Sequence, residues 1–407
     1  MIATIEPPGG QLSGPELIAR AAALVPILRE RANSCEDLRR VPDETVRDFL
    51  EAGLYRIVQP RCFGGYEQGL PVMVRCMMEV ARGCPSSAWV LCLTAAHTWW
   101  AALYPAEAQA EVFGDDGDLR FPLIFAPTGQ ALPVDGGYRL DGTWNYASGC
   151  DNSNWLGVNA LIPPAADGRP PAPVMCLIRA DDYRVNDNWH VMGLRGTGSK
   201  QAVAEGVFVP ERRALVLQTL DEAPPPGAAI HDNPFYRGPA GPIFFAEIAS
   251  IAVGIAKGAV EAFDARARVK TTPFKPGVLL FESEAARGRL ARATAMVDAA
   301  EAMLLRQAET YMEMLATRVP AGQTLNLEER ARMQLQLQHV VEESGKAVEL
   351  LFVAGGTSAM NDGEPLQRYF RDISALRTHY LMDGDRVRDN WGRLNFGLEP
   401  STRTPGV

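Results

Sequence analysis

The chain is poor in residues that hold metals or staple a fold. Its 407 residues include seven cysteines, an odd number with no Cys-x-x-Cys among them. Most sit among apolar neighbours, the pattern of reduced thiols in a cytosolic protein rather than of a disulfide framework. Of the five histidines, His97, His190, His231, His339 and His379, none pairs with another histidine or a cysteine at ligand spacing. No zinc site is therefore expected. Positive charge is not in excess either: 40 Lys and Arg stand against 49 Asp and Glu, a net charge of −9. Proteins that bind nucleic acid or anionic membranes through charge are basic, so neither partner is expected. Residues 1–11 show no basic stretch followed by an apolar run, so no export signal is read there. The uncharged stretch Ala88–Tyr104 falls short of the roughly 20 residues a bilayer span needs. It also holds His97 and two threonines, and reads as a helix buried inside a protein.

What is present is ordinary globular material, 47% hydrophobic and 22% charged, enough for two or three folding units. Residues 1–120 read as a helical domain. Glu16–Asn33 is rich in Ala, Leu and Arg at helical spacing, Pro42-Asp43-Glu44 opens a second helix, and Pro71–Arg82 shows a methionine-rich face. The period changes after Arg120. Residues 121–225 read as a middle β domain, a sandwich or barrel, with Gly-centred turns at Asp135-Gly136-Gly137 and Asp141-Gly142. Thr219–Gly241 reads as a long connection. Residues 226–407 return to helices: Ile243–Lys270 with Gly254 and Gly258 four apart, Phe281–Met314, Arg330–Phe352, and a final helix through Asp372–Asp389. Long helices of this kind pack as a four-helix bundle. The expected fold class is α+β in the order α, β, α.

Several short motifs carry possible chemistry, and each has a plain structural alternative. Gly193–Ser199, GLRGTGS, lacks the helix that must follow a dinucleotide loop. It is either a turn between strands or a donor of hydrogen bonds to a phosphate or a flavin ring. Ser148, in Tyr146-Ala147-Ser148-Gly149, either fills a turn or offers its hydroxyl to a ligand. His97, near Trp99 and Trp100, is either a satisfied core residue or an imidazole facing an apolar pocket. His379 follows Asp372 by two helical turns on one face. Arg266 and Arg268 either complement a helix dipole or bind phosphate.

Together, in order, TWNYASG, WHVMGLRGTGSKQAVAEGVFVPE, the ARAR helix end, the Gly355-Gly356 break and RYFRD resemble the acyl-CoA dehydrogenase superfamily from Glu16 to Leu398. Within it the chain is similar to the group D flavin-dependent monooxygenases, the oxygenase components of two-component systems. The dehydrogenases carry a carboxylate base after the Arg-Asp pair in a Tyr-Glu-Gly-Thr-like context. Here the stretch is THYLMDGD, with Tyr380 at that place and His379 beside it.

The resemblance implies a cytoplasmic homotetramer that takes reduced FMN or FAD, FMN ahead of FAD, from a separate reductase. With O2 it would hydroxylate a small aromatic, phenolic substrate through a flavin hydroperoxide. It implies His379 near flavin C(4a), Ser148 near N(5), Trp189 and Ser199 lining the flavin, and Arg266 near a flavin phosphate, often a neighbour's. His97 would reach the substrate. N- or S-oxygenation, an acyl-CoA dehydrogenase and a non-enzymatic scaffold are the alternatives to this reading. The glycine-bearing helix with Gly254 and Gly258 is expected to serve subunit packing.

Overall fold

The computed structural model describes residues 5–401 except 8, 165–169, 219, 221–223 and 273–274. Parts of the N-terminal stretch and of the Thr219–Gly241 connection therefore lie outside the described residues. Five helices come first: α1 (Gly14–Leu38), α2 (Asp43–Glu51), α3 (Leu70–Gly83), α4 (Pro85–Ala101) and α5 (Ala106–Phe113). The start of α1 is fixed by a capping box, in which Ser13 N–H donates to Glu16 Oε2 (2.8 Å). Helix α4 is buried on nearly every side, as an uncharged helix must be in a soluble fold.

Seven strands follow in one continuous mixed sheet: β1 (Leu123–Val134), β2 (Gly137–Ala147), β3 (Trp155–Ile162), β4 (Ala172–Arg179), β5 (Arg184–Asn186), β6 (Lys200–Pro210) and β7 (Ala214–Val216). Their order is β5-β6-β2-β1-β3-β4-β7. All neighbours are antiparallel except β1 and β3. The Asp135-Gly136 pair forms the expected two-residue hairpin turn, with Gly136 at φ 75°. Asp141-Gly142 is not a turn. Gly142 lies inside β2 where the register slips against β6, and its missing side chain makes room for Trp144: a Cβ there would sit 2.5 Å from the indole. The period-2 pattern marked a glycine correctly and misassigned its purpose.

The C-terminal half consists of α6 (Gly241–Ala267), α7 (Glu284–Arg318), α8 (Leu327–Gly355), α9 (Pro365–Leu376) and α10 (Gly384–Asn395). The expected final helix is thus two helices. They are separated by a 3-10 turn, Tyr380–Met382, of which His379 is the N-terminal cap. Helix α6 is long and apolar enough to cross a membrane, but 89% of its most apolar window is buried in the protein. Its glycines serve packing within the chain. A Cβ on Gly254 would meet Met78 O and Ala81 of α3 at 2.5 Å, and one on Gly258 would meet the Tyr369 ring of α9 at 2.6 Å. The subunit-packing role expected for them is therefore replaced by an internal one.

One core feature is costly. Glu247 of α6 is buried, its Oε1 has no hydrogen-bond partner, and burial raises its carboxyl well above the usual range. An unsatisfied buried polar group costs about 1–3 kcal/mol. Glu247→Met, which removes the polar atoms and conserves volume, is expected to raise the urea midpoint of the flavin-free protein. An unchanged or lower midpoint would mean that the carboxyl holds a favourable contact.

Candidate active site

The β2 end, the loop before β6, the first two turns of α4 and the turn after α9 meet at one place. Strand β2 closes on a bulge at Trp144/Ala147, in which Tyr146 takes φ 69° and leaves its ring 70% exposed. Positive φ is unusual for a tyrosine and concentrates at functional sites. The next residue but one, Ser148, is turned inward. Its Oγ lies 2.7 Å from Ser199 Oγ and accepts Trp89 Nε1–H (3.1 Å). Ser199 Oγ in turn lies 2.7 Å from Thr197 Oγ1. Three hydroxyls and an indole N–H form one buried chain.

His379 faces that chain across Trp89, the ring centroids 5.6 Å apart and edge-on. Leu381 N–H donates to His379 Nδ1 (3.3 Å), which leaves the proton on Nε2 and makes that atom a donor. Burial pulls His379 down to about 4, so the ring is neutral at pH 7. Trp189 Nε1–H donates to Leu194 O (3.2 Å), and its ring meets Tyr146 edge-on at 6.1 Å. The structure thus brings Ser148, Ser199, Trp189 and His379 together.

His97 lies eight residues beyond Trp89 on α4, about 12 Å of helix rise away. Its Nδ1–H donates to Phe121 O (2.8 Å), because a carbonyl can only accept. Nε2 is therefore the unprotonated, accepting nitrogen. Burial lowers His97 to about 4. Phe121, Phe244, Trp100 and Phe125 form an aromatic wall around it, with ring centroids 5.1–6.3 Å apart. Trp99 faces elsewhere, donating to Phe235 O (2.8 Å), and Met73, Met77 and Met78 are core residues.

Arg266 is not brought to this place. Its guanidinium holds Glu364 Oε2 (2.8 Å), Ser358 Oγ (2.5 Å) and Gly355 O (3.3 Å) at the start of α9. His379 follows the other end of that helix, roughly 18 Å along its axis. Arg268 pairs with Asp264 on the surface. Thr197 belongs to the Gly193–Ser199 turn whose hydroxyls the sequence offers as hydrogen-bond donors, whereas Trp89, Phe121 and Phe244 carry no such signal. Trp89 was one of three tryptophans on an apolar helix, and only tertiary contact separates it from Trp99. Among the described residues no three His, Cys, Asp or Glu side chains group to hold a metal.

The buried histidines also set acid stability. His97 and His231 both fall from 6.5 to about 4, chiefly through burial. The unfolded chain binds their protons first, so stability is full above pH 6.5 and is lost as the pH falls toward 4. Each contributes up to about 1.4 kcal/mol per pH unit in that window. The buried carboxyls Glu247 and Asp372 are shifted upward and act in the opposite sense, so the difference between chains is the measure: the urea midpoint of wild type is expected to drop relative to that of His231→Asn as the pH falls from 7 to 5. A difference that stays constant over that range would contradict the burial of the His231 ring.

Residues 246–384 match the family model "Acyl-CoA dehydrogenase, C-terminal domain". Over 385 residues the chain is 35% identical to the oxygenase subunit of a flavin-dependent monooxygenase from Rhodococcus jostii, covering 95% of this chain and 99% of that one. It is 34% identical to the oxygenase component of an FADH2-dependent resorcinol hydroxylase from a Rhizobium species, over 94% and 95% of the two chains. A Streptomyces protein solved with FADH2 and glycerol superposes with a TM-score of 0.88 at 27% identity, covering 96% and 97%. The fold is that of the acyl-CoA dehydrogenases, and the class it defines here is flavin-dependent. The chain belongs to the flavin-dependent monooxygenases, among the oxygenase components of two-component systems.

Proposed function

We propose that this protein takes reduced flavin from a separate reductase and hydroxylates a small phenolic substrate with O2. The observation that carries the reading is His97: a buried, neutral imidazole whose Nδ1–H is fixed on Phe121 O and whose ring packs between Phe121 and Phe244, two helical turns along α4 from the residue that meets the hydroxyl chain. Part-exposed aromatic faces (Tyr146, Trp189), buried hydroxyls (Ser148, Ser199, Thr197) and a neutral imidazole donor (His379) suit a flat heteroaromatic ring with one polar edge. Bound reduced flavin supplies the two electrons that activate O2, one oxygen atom going to the substrate and the other to water.

The chain's residues do the rest. Ser148, backed by Ser199 and Trp89, is a preorganised hydrogen-bonding group for the ring's polar edge. His379 Nε2–H donates to oxygen atoms that gain negative charge on the same side. His97 Nε2 accepts the phenolic hydroxyl and so orients the ring and enriches it in electron density. The apolar walls exclude water. Tyr380 replaces the carboxylate that an acyl-CoA dehydrogenase needs, which favours oxygenation over thioester oxidation.

The relatives above whose names give the flavin take reduced FAD, so FADH2 is the first to test, ahead of the FMN expected from sequence. Arg266, with Lys270 beside it on Ser358 Oγ, is assigned to a neighbouring subunit's flavin phosphate. The homotetramer this requires has a candidate seat in the groove of about 350 Å³ on α7 and α8, lined by Met296, Ala299, Met303 and Val340. A cytoplasmic location accords with the seven free cysteines.

The test supplies enzymatically reduced FAD, then FMN, with O2 and a panel of phenols, indoles and thiophenes. Catechol-type products from the phenols are expected. Hydrogen peroxide alone with phenols, and oxygenated indole or thiophene instead, would move the assignment to N- or S-oxygenation.

A further inference from the structure

The Arg371-Asp372 pair at the middle of α9 serves no step above, yet its carboxylate is buried and reaches the loop that carries the site. Asp372 Oδ1 accepts Leu194 N–H (2.6 Å), while Oδ2 is buried without a partner. Leu194 sits at φ 53°, ψ 35°, a left-handed conformation that is unfavourable for a non-glycine residue. Its carbonyl is a hub that accepts Trp189 Nε1–H (3.2 Å), Thr197 N–H (3.2 Å) and Thr197 O–H (2.9 Å). Thr197 then continues to Ser199 and Ser148. On the other side, Gly193 lies so close to α9 that a Cβ would be 2.1 Å from Arg371 O. Arg371 binds both Met192 O (2.7 Å) and Glu36 of α1 (2.7 and 2.9 Å).

We infer that Asp372 is the positioning residue of the flavin-facing loop: through Leu194 N–H it holds the left-handed turn from which Trp189, Thr197 and Ser199 take their places. The inference rests on the assignment of that loop to flavin. Asp372 touches neither substrate nor reacting atoms and acts through Leu194 and Thr197. It couples the helix that ends before His379 to the strand end that carries Ser148, alongside the Arg371 contact with Met192 O. Burial pushes Asp372 up to about 7. Glu36 and Cys84 oppose its charge, while Arg371 and the Leu194 N–H favour it; the neighbouring Cys35 thiol, itself held up in part by Asp372, stays neutral. The ionised form, the stronger acceptor, therefore gains as the pH rises through neutrality.

Four chains distinguish this from a general packing role: wild type, Asp372→Asn, Asp372→Ala and the double variant Asp372→Ala/Leu194→Gly. Asp372→Asn retains an acceptor and cannot ionise. Glycine adopts the left-handed turn without the penalty and needs no clamp. The first readout is hydrogen exchange of amides 194–199 in the flavin-free protein, expressed as protection factors. Asp372→Ala is expected to lose at least about 10-fold protection there and nowhere in α1 or α8, with recovery in the double variant. Wild-type protection is expected to rise from pH 6 to pH 8, and that of Asp372→Asn to stay level. The second readout is affinity for reduced FAD, expected to follow the same order. Unchanged protection in Asp372→Ala, or no recovery on adding Leu194→Gly, overturns the inference. Since exchange is read without flavin, failure of wild type to bind FAD would instead count against the functional assignment.

Discussion

His97→Ala is expected to lower phenol hydroxylation by at least about 100-fold, the smallest contribution usual for a positioned proton acceptor, while oxygen consumption with reduced flavin continues. The reason lies in the tautomer. Phe121 O fixes the proton on Nδ1, so Nε2 of the neutral ring is the acceptor. Burial at about 4 keeps it unprotonated across the working pH range. A base that weak does not strip a phenol, whose proton leaves near pH 10. In the proposed reaction it accepts the hydrogen bond, aligns the ring and takes up proton density as the ring begins to react. His97→Gln retains a side-chain acceptor and is expected to recover part of the lost rate, whereas His97→Phe is not. Because the ring is already neutral, the wild-type rate should show no loss on lowering the pH from 8 to 6 that traces to this residue. Product formed per O2 consumed is the measurement. Normal hydroxylation by His97→Ala would remove the role assigned to this side chain.

How far such a site can be read from sequence depends on which contacts are local. The α–β–α order, the Asp135-Gly136 turn and the long helices follow from periodicity and turn chemistry within short windows, and the structure has them. That Ser148, Trp189, Ser199 and His379 come together follows from motif order, because glycines and hydroxyls cluster at strand ends where backbone must turn. What periodicity misplaced was the use of small residues. Gly142 looked like a turn and makes room for Trp144. Gly254 and Gly258 looked like a subunit seam and admit α3 and α9. In each case the partner is distant in sequence, and a glycine records only that something comes close. The aromatic wall was invisible for the same reason: Phe121, Phe125 and Phe244 come from separate elements, and nothing local distinguishes them from core phenylalanines. His379 was placed on a helix continuous with Asp372. The chain instead leaves α9 at Leu376, so the histidine caps a short turn and its ring is free to face Trp89.

That turn makes His379 the second decisive residue. His379→Ala is expected to leave O2 consumption intact while hydroxylated product per O2 falls by about 100-fold, hydrogen peroxide accounting for the difference; this is the scale of removing one preorganised donor from a site of developing negative charge. A cation at this place would be stronger in principle, but the structure argues against one. Among the described residues no carboxylate acts on the ring, burial lowers it to about 4, and the Leu381 N–H occupies Nδ1, the nitrogen a second proton would need. A neutral Nε2–H donor works equally well at pH 6 and pH 8, so wild-type coupling should be level over that range. A cationic histidine would lose coupling as the pH rises through 6.5. Asparagine provides an independent check, since its amide can donate without ever carrying charge. His379→Asn is expected to keep a measurable share of the coupling that His379→Ala loses. Equal loss in both variants, together with coupling that falls above pH 6.5, would show that charge rather than a fixed donor is what the site requires from this residue.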